Sequence, residues 1–383
     1  MSDVWFEAME ALRALTHRMA DRWATPSAPD RRADLAMKFF GNVMAAYLTH
    51  LMADPLNPAF VPSVGYHQMY GSPNPDTVYR TATVDGRGIY ELHGYRGTAP
   101  DITIMPFGAP TANGLETFTE LNLDDLPLDD SGRFEVTLSE VRPPGVECWW
   151  RLRPETRSLM LRSVSHDWGA HSDPRVAIVR TDRAAARSHR DAVSARLQSY
   201  SQVVEAMMMS GIRRVEQLRG AGVVNRLVAV DYRQGGARAD QWYQEGCFEL
   251  GPDEALLIET TLPQGCNTFS LSLTDAYFST IDWAGTQSSL NHEQARIGSD
   301  RDVKLVVAST DVGVANWLDT AGHDTGVLQF RWSGGSQAPE LGIHKVPVAA
   351  CAAMHQPGER IDPHERAEAV RRRRVGAQLR SLW

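Results

Sequence analysis

The sequence predicts an α+β, β-rich protein. It reads as two antiparallel β-sandwich or jelly-roll-like blocks, with N-terminal helices, a long central helix and a C-terminal helix. Three observations carry this. Short runs of period-two apolar residues follow one another at close intervals over 77–180 and again over 223–332, the spacing of sandwich strands. Nothing of helical period interrupts either series, which disfavours parallel βαβ winding. The segments before, between and after the two series carry the 3.6-residue period instead.

In chain order, Trp5, Met9, Leu12, Leu15, Met19 and Trp23 recur at helical spacing, and the break ATPSAPD follows them. Leu35, Phe39, Val43, Tyr47 and Leu51 predict a second helix over 31–53. An irregular segment with five prolines then runs to Asp76, a length at which loops are commonly functional. TVYRTATV, GIYELHGY, DITIMPF, LETFTELNL, RFEVTL, CWWRL, SLMLRSV and RVAIVR read as strands. Asp182 is placed as the N-cap of a long helix to about 218, with Val193, Leu197, Tyr200, Val204, Met207 and Gly211 on one face. VVNRLVAVDY, ALLIETTL, TFSLSLTDAYF, VKLVVAS and VLQFRW form the second block. At the end, Asp362, Pro363 and Glu365 have the order of a capping box with proline in the first turn. Arg371 to Arg374 read as a solvated basic face. The division this predicts is helices over 1–56, a first sandwich over 57–181, the connecting helix over 182–220, a second sandwich over 221–350 and a helical tail over 351–383. The two blocks show no repeat in sequence.

Composition bounds the function. The 43% hydrophobic and 22% charged fractions over 383 residues are those of a globular chain, and a net charge of −8 argues against a nucleic-acid partner. Only Lys38, Lys304 and Lys345 among 39 cationic side chains are lysine, so the cations are almost all guanidinium forks suited to carboxylate, phosphate or sulfate. Cys148, Cys247, Cys266 and Cys351 form no CxxC pair, which fits a reducing compartment. The N-terminus is not leader-like and no apolar run approaches ~18 residues, so a cytoplasmic chain without a membrane span is expected.

The usual catalytic motifs are missing. There is no GxSxG, no Walker A loop and no complete dinucleotide fingerprint, and no cofactor is expected. His292 and Glu293, like His364 and Glu365, begin an HExxH that Arg296 and Glu368 fail to complete. SHDWGAHSD offers His166, Asp167, His171 and Asp173 at a spacing that is not diagnostic of a metal, so none is assigned and a hydrogen-bonded, loop-fixing histidine is expected there.

The stretch SPNPDTVYRTATVDG places a charge inside a strand face. Alternation puts Asp76, Val78, Arg80, Ala82 and Val84 on one face and Tyr79, Thr81 and Thr83 on the other. The first face is otherwise apolar, so Arg80 is expected inside, where an unpaired guanidinium is costly. Its partner is either a cross-strand carboxylate or an anionic ligand group. In VLQFRW the aromatic face is expected inside and Arg331 outside. The loop from Asp275 to His292, rich in Tyr277, Trp283 and Asn291, is the kind that carries ligand contacts on a β scaffold.

These residues resemble a known pairing. NPDTVYRTATVD is similar to the first, and DEALLIETTLP with DVGVANWLDTAGHDTGVLQFRW to the second, of the paired bacterial domains of unknown function numbered 1254 and 1214. The resemblance implies two jelly-roll-like parts with helices around them, a homo-oligomeric assembly and a part in the catabolism of hydrophobic compounds. Asn74, Asp76, Tyr79 and Arg80 match its first motif; Asn291, Asn316, Trp317 and Arg331 match its second.

The function expected is that of a cofactor-independent hydrolase or lyase acting on a hydrophobic small molecule with an anionic or carbonyl group. Its catalytic candidates are His67, Asp76, Tyr79 and Arg80. Its substrate-binding candidates are Asn74, Tyr277, Trp283, Asn291, Asn316, Trp317 and Arg331. Tyr79 and Arg80 serve one pocket only if the strand is bulged. The alternative is a non-catalytic small-molecule or carbohydrate binder stacking its ligand on Trp242, Tyr277, Trp283 and Trp317.

Overall fold

In a computed structural model that describes residues 2–23, 29–68, 71–111, 114–182, 190–232, 241–335 and 337–380, the period-two runs become four sheets. The first block holds β1 (Val61–Pro62), β2 (Thr77–Thr83), β3 (Tyr90–Tyr95), β4 (Asp101–Thr111), β5 (Gly114–Thr117), β6 (Leu121–Asn122), β7 (Arg133–Ser139), β8 (Trp149–Arg151), β9 (Ser158–Val164) and β10 (Arg175–Arg180). They form one sheet in the order β1-β2-β9-β4-β5, with β6 on β4, and another in the order β10-β3-β7-β8. The second block holds β11 (Val228–Val230), β12 (Gln241–Glu249), β13 (Glu254–Thr261), β14 (Cys266–Leu273), β15 (Ser289–Asn291), β16 (Asp302–Ala308), β17 (Trp317–Asp319), β18 (Thr325–Gly334) and β19 (Gly342–Pro347). Its sheets are β11-β12-β18-β14-β15 and β17-β16-β13-β19.

The two blocks are topological copies. Setting β6 aside, each strand of the first maps in chain order onto one of the second, and both sheet orders are reproduced. Even the exception to antiparallel pairing recurs: β7 pairs β8 in parallel, and β16 pairs β17 in parallel. Each sandwich closes on its own core. Leu92, Ile102, Ile104, Phe134 and Leu161 fill the first; Phe248, Phe269, Leu271, Phe330 and Trp332 fill the second.

Helices α1 (Ser2–Trp23), α2 (Pro29–Ala46) and α3 (Arg190–Gly220) make a separate layer, with Leu15, Met19, Phe39, Val204, Met208 and Ile212 between them. A short α4 (Val348–Cys351) leads to α5 (Pro363–Leu379). Asp362 caps α5 through the expected box: its carboxylate accepts from the N–H groups of His364 and Glu365, both at 2.8 Å, and Glu365 returns a bond to the Asp362 N–H.

Several local expectations are corrected. Helix α2 stops at Ala46 and continues as a π turn, Tyr47–Leu51. Trp5 and Met9 lie in water, because α1 packs through Ala8, Leu15 and Met19. The Asp182 carboxylate accepts from Arg180 Nε at 2.7 Å; α3 is described from Arg190, and the first turn that Asp182 is expected to cap, within 183–189, lies outside the described residues. Strands β1, β12, β15, β17 and β19 lie in segments from which the sequence predicts no strand. Arg373, inside the basic run, is buried rather than solvated.

Candidate functional site

Strand register lays two rows of side chains on the outer faces of the sandwiches. In the first, Tyr79 on β2 lies opposite Arg162 on β9, which lies opposite Thr103 on β4. In the second, Tyr243 on β12 lies opposite Arg331 on β18, then Ser270 on β14 and Asn291 on β15. Under the strand mapping these are the same row twice: tyrosine, arginine, hydroxyl. The two rows approach each other at the seam between the sandwiches, where Tyr79 and Arg162 of the first lie near enough to Tyr243 of the second to act on its phenol. Burial pushes the Tyr243 phenol up, against the pull of Arg331 and Arg162, so it remains a proton donor at neutral pH. Tyr79, Arg162 and Tyr243 are half-buried and Arg331 is buried.

The sequence expectation for Arg331 is therefore corrected: both faces of β18 are covered. Its guanidinium donates to the Ser272 hydroxyl at 3.0 Å, the Ser72 carbonyl at 3.1 Å and the Gln329 side-chain oxygen, and stands 5.9 Å from the centre of the Tyr243 ring. All three acceptors are neutral. Glu245, fully buried one row back, is the nearest acid in this network. Its carboxylate is occupied by Arg214 at 2.8 Å, Tyr232 at 2.7 Å and the Gln329 amide, so it reaches Arg331 only through that amide. A buried cation held by neutral acceptors keeps most of its field available to an anion.

Arg80 is the opposite case. It points into the first sandwich, where burial lowers its pKa and Asp173 opposes that shift. Asp173 in turn ion-pairs with Arg380 at 2.9 Å and accepts from the Ser163 hydroxyl at 2.6 Å. Of the two partners open to Arg80 from sequence, the protein's own carboxylate is the one present. Tyr79 and Arg80 do not converge, because β2 carries no bulge between them.

The proline-rich segment forms a tongue whose residues 72–77 are all buried. Ser72 sits at φ 52°, a left-handed conformation that is strained for a non-glycine residue. Thr280 donates to the Pro73 carbonyl at 2.9 Å. The Asn74 side-chain oxygen accepts from the Asp76 N–H at 3.1 Å, a local turn. The Asp76 carboxylate accepts from Trp168 Nε1 at 2.9 Å and from Asn291 Nδ2 at 2.7 Å. Asn74, Asp76, Asn291 and Arg331 thus meet, and what they build is the joint between the sandwiches.

Helix α5 straps this joint with arginines seven residues apart. Arg366 pairs with Asp311 at 3.0 Å. Arg373 donates to the Trp283 carbonyl and the Ser289 hydroxyl, both at 2.8 Å. Arg380 reaches Asp173 and the Asp76 carbonyl in the first sandwich. Burial draws Arg373 down to about 10, against the opposing charges of Asp76 and Asp282. Beside the joint, a cleft of 510 Å³ opens between α5, the His166–Gly169 loop and Leu290–Gln294. The rings of His166 and His292 stand 4.4 Å apart there, and burial, then His166, lowers the His292 pKa.

The remaining candidates are dispersed. His67 is exposed, edge-on to Tyr66. Tyr277 is buried among the helices and Trp242 lies against the second core. Trp283 is buried against Tyr66, with ring centres 5.1 Å apart. Asn316 is saturated by backbone, bonding Arg296 and Lys304, and Trp317 donates to the Ala308 carbonyl at 3.0 Å. Of the aromatics expected to stack a ligand, Tyr277, Trp283 and Trp317 are buried and Trp242 is half-buried. His171 Nδ1 lies 3.0 Å from the Ser165 hydroxyl, which is the loop-fixing role expected of it. Among the described residues, metal-type side chains gather at Glu91, His93 and Glu135 on the solvent face of β3 and β7.

Sequence reasoning missed Arg162 and Tyr243. A faint signal exists for both: SLMLRS against VLQFRW, and TVYR against QWYQ, each place the same residue at equivalent strand positions.

No family model matches this chain, and no curated protein does. Among solved structures, an uncharacterised protein from Burkholderia cenocepacia is similar over 91% of this chain and 97% of its own, with 27% identity and a TM-score of 0.82. A protein from Vibrio parahaemolyticus matches over 81% of this chain and 98% of its own, with 9% identity and a TM-score of 0.42.

Proposed function

We propose that the seam between the sandwiches is a small-molecule site, and that the protein is a catabolic hydrolase or lyase acting on a hydrophobic substrate with a carboxylate or carbonyl group. The observation that carries this is Arg331: a buried guanidinium whose acceptors among the described residues are the neutral Ser272, Gln329 and Ser72 groups, near a second tyrosine–arginine row. Arg331 and Arg162 would clamp the substrate oxygen from opposite walls, with paired donors matched to a carboxylate. Tyr243, held protonated, would donate to an oxygen that gains negative charge in the transition state, and Tyr79 would do so from the other wall. Such an arrangement favours hydrolysis or elimination, in which charge develops on oxygen. The resemblance to the paired 1254 and 1214 domains belongs to the same proposal and points to the same substrate class.

Incubation with carboxylated terpenoid, steroid and aromatic compounds, followed by mass spectrometry, tests it. Turnover by the wild type that is lost in both Tyr243→Phe and Arg162→Ala, with unchanged melting temperature, supports the enzyme. Binding that needs Arg162 but produces no turnover supports a carrier instead. Binding or turnover indifferent to both substitutions removes the seam as the site.

A further inference from the structure

The second sheet of the first sandwich carries a mixed histidine–carboxylate cluster on its solvent face. Its backbone is fixed from the other side: Tyr90 and Leu92 of β3 and Phe134 and Val136 of β7 are buried in the core. Alternation then turns Glu91 and His93 outward on β3 and Glu135 outward on β7. Register places His93 directly opposite Glu135, with Glu91 two residues back on the same strand. The imidazole lies between the two carboxylates, with Nε2 at 3.3 Å from Glu91 and Nδ1 at 3.3 Å from Glu135.

Two acids around one imidazole leave this cluster short of positive charge. Among the described residues, no ion pair joins Glu91 or Glu135 to a lysine or arginine. Thr137 lies opposite Glu91 on β7, and Val179 and Ala177 lie opposite Glu91 and His93 on β10. Arg133 and Arg175 come one pair further along, opposite Tyr95, and the Arg175 guanidinium stands over the Tyr95 ring at 4.6 Å. A neutral imidazole has one N–H, so it donates to one carboxylate and turns a lone pair toward the other. A divalent cation removes that conflict by taking the lone pair and both carboxylates as ligands. One donor atom from each of the three residues already lies within 4.8 Å of the others. Ligands on a tetrahedral zinc ion stand about 3.4 Å apart, so half-exposed side chains close on the ion by rotating while the strands stay in place. A nitrogen with two carboxylate oxygens suits a late first-row ion, whereas calcium and magnesium take oxygen ligands. We propose that Glu91, His93 and Glu135 form a Zn²⁺ site that ties β3 to β7, with water in the fourth position. The site is on the β10-β3-β7-β8 sheet, away from the tyrosine–arginine row of β2, β9 and β4, and owes nothing to the reading of that row.

Calorimetric titration of zinc chloride into the chelator-treated full chain tests the proposal. The wild type is expected to show a saturable site for one ion per chain. His93→Ala should weaken it roughly 100-fold or more, since losing a group that only supports a ligand already costs about 10–100-fold. His171→Ala, in the loop after β9, should leave the affinity unchanged. A wild type without a saturable site overturns the proposal, as does an affinity that His93→Ala does not change. A site lost in His171→Ala and kept in His93→Ala would put the ion on that loop, which equally overturns it. If His93→Ala does not fold, Glu91→Gln/Glu135→Gln decides: loss of the site supports the assignment, and full retention overturns it.

Discussion

The two sandwiches share strand order, a parallel pair at the same place and a tyrosine–arginine row on the same strands, yet the rows are held differently. The second row is backed by Glu245 and its ring of donors and is pinned to the tongue through Ser72. In the first row, Tyr79 and Arg162 remain half-buried. Tyr243 is half-buried as well, so what sets the second wall apart is its tie to Glu245 and to the tongue. Two sandwiches of the same strand order thus hold equivalent strand positions differently, the second through a segment, 71–76, that precedes β2 of the first.

Removing the support behind the second wall should cost most. Glu245→Ala leaves Arg214, Tyr232 and Gln329 without their buried acceptor, and about 3–5 kcal/mol of unfolding free energy should be lost in a denaturant titration. A loss below 1 kcal/mol would mean the second row is not held in this way.

Freeing the tongue comes next. Asp76→Ala strands Trp168 Nε1 and leaves Asn291 Nδ2 with the His166 carbonyl alone, and roughly 1–3 kcal/mol should be lost. Hydrogen exchange of 71–76 and of β15 should rise together, because one carboxylate ties both. Separate responses would show that the sandwiches are not joined there.

The sharpest comparison sets the two arginines side by side. Arg331→Lys should lower both stability and ligand affinity, since one ammonium cannot span Ser272, Gln329 and the Ser72 carbonyl. Arg162→Lys, at a half-buried position, should also lower affinity but cost less stability than Arg331→Lys, whose site is buried. Equal behaviour of the two would erase the distinction between the walls.

The smallest effect is one of pH. His292 is held below its ordinary value by burial and by His166, so in acid the unfolded chain takes up a proton that the folded chain refuses. Its share of stability is complete above the unfolded pKa of 6.5 and is lost as pH falls toward the lowered folded value. His292→Gln should flatten the acid limb of a melting-temperature profile; an unchanged limb would place the acid sensitivity elsewhere.

What the chain determined by itself was local. Alternation of apolar residues marked most strands, Asp362 with Pro363 and Glu365 set the start of α5, and the apolar face of β2 foretold that Arg80 turns inward. Each of these depends on residues within a few positions of one another, so short-range sterics and hydrogen bonding decide them. The tertiary structure alone decided which buried guanidinium meets the protein's own acid and which, among the described residues, meets neutral acceptors. Arg80 finds Asp173, Arg380 crosses to the Asp76 carbonyl from some 300 positions away in sequence, and Arg331 and Arg162, from different sandwiches, both act on Tyr243. The field around a charge falls off with distance in space and not along the chain, and separations in space exist only once both sandwiches have folded and docked.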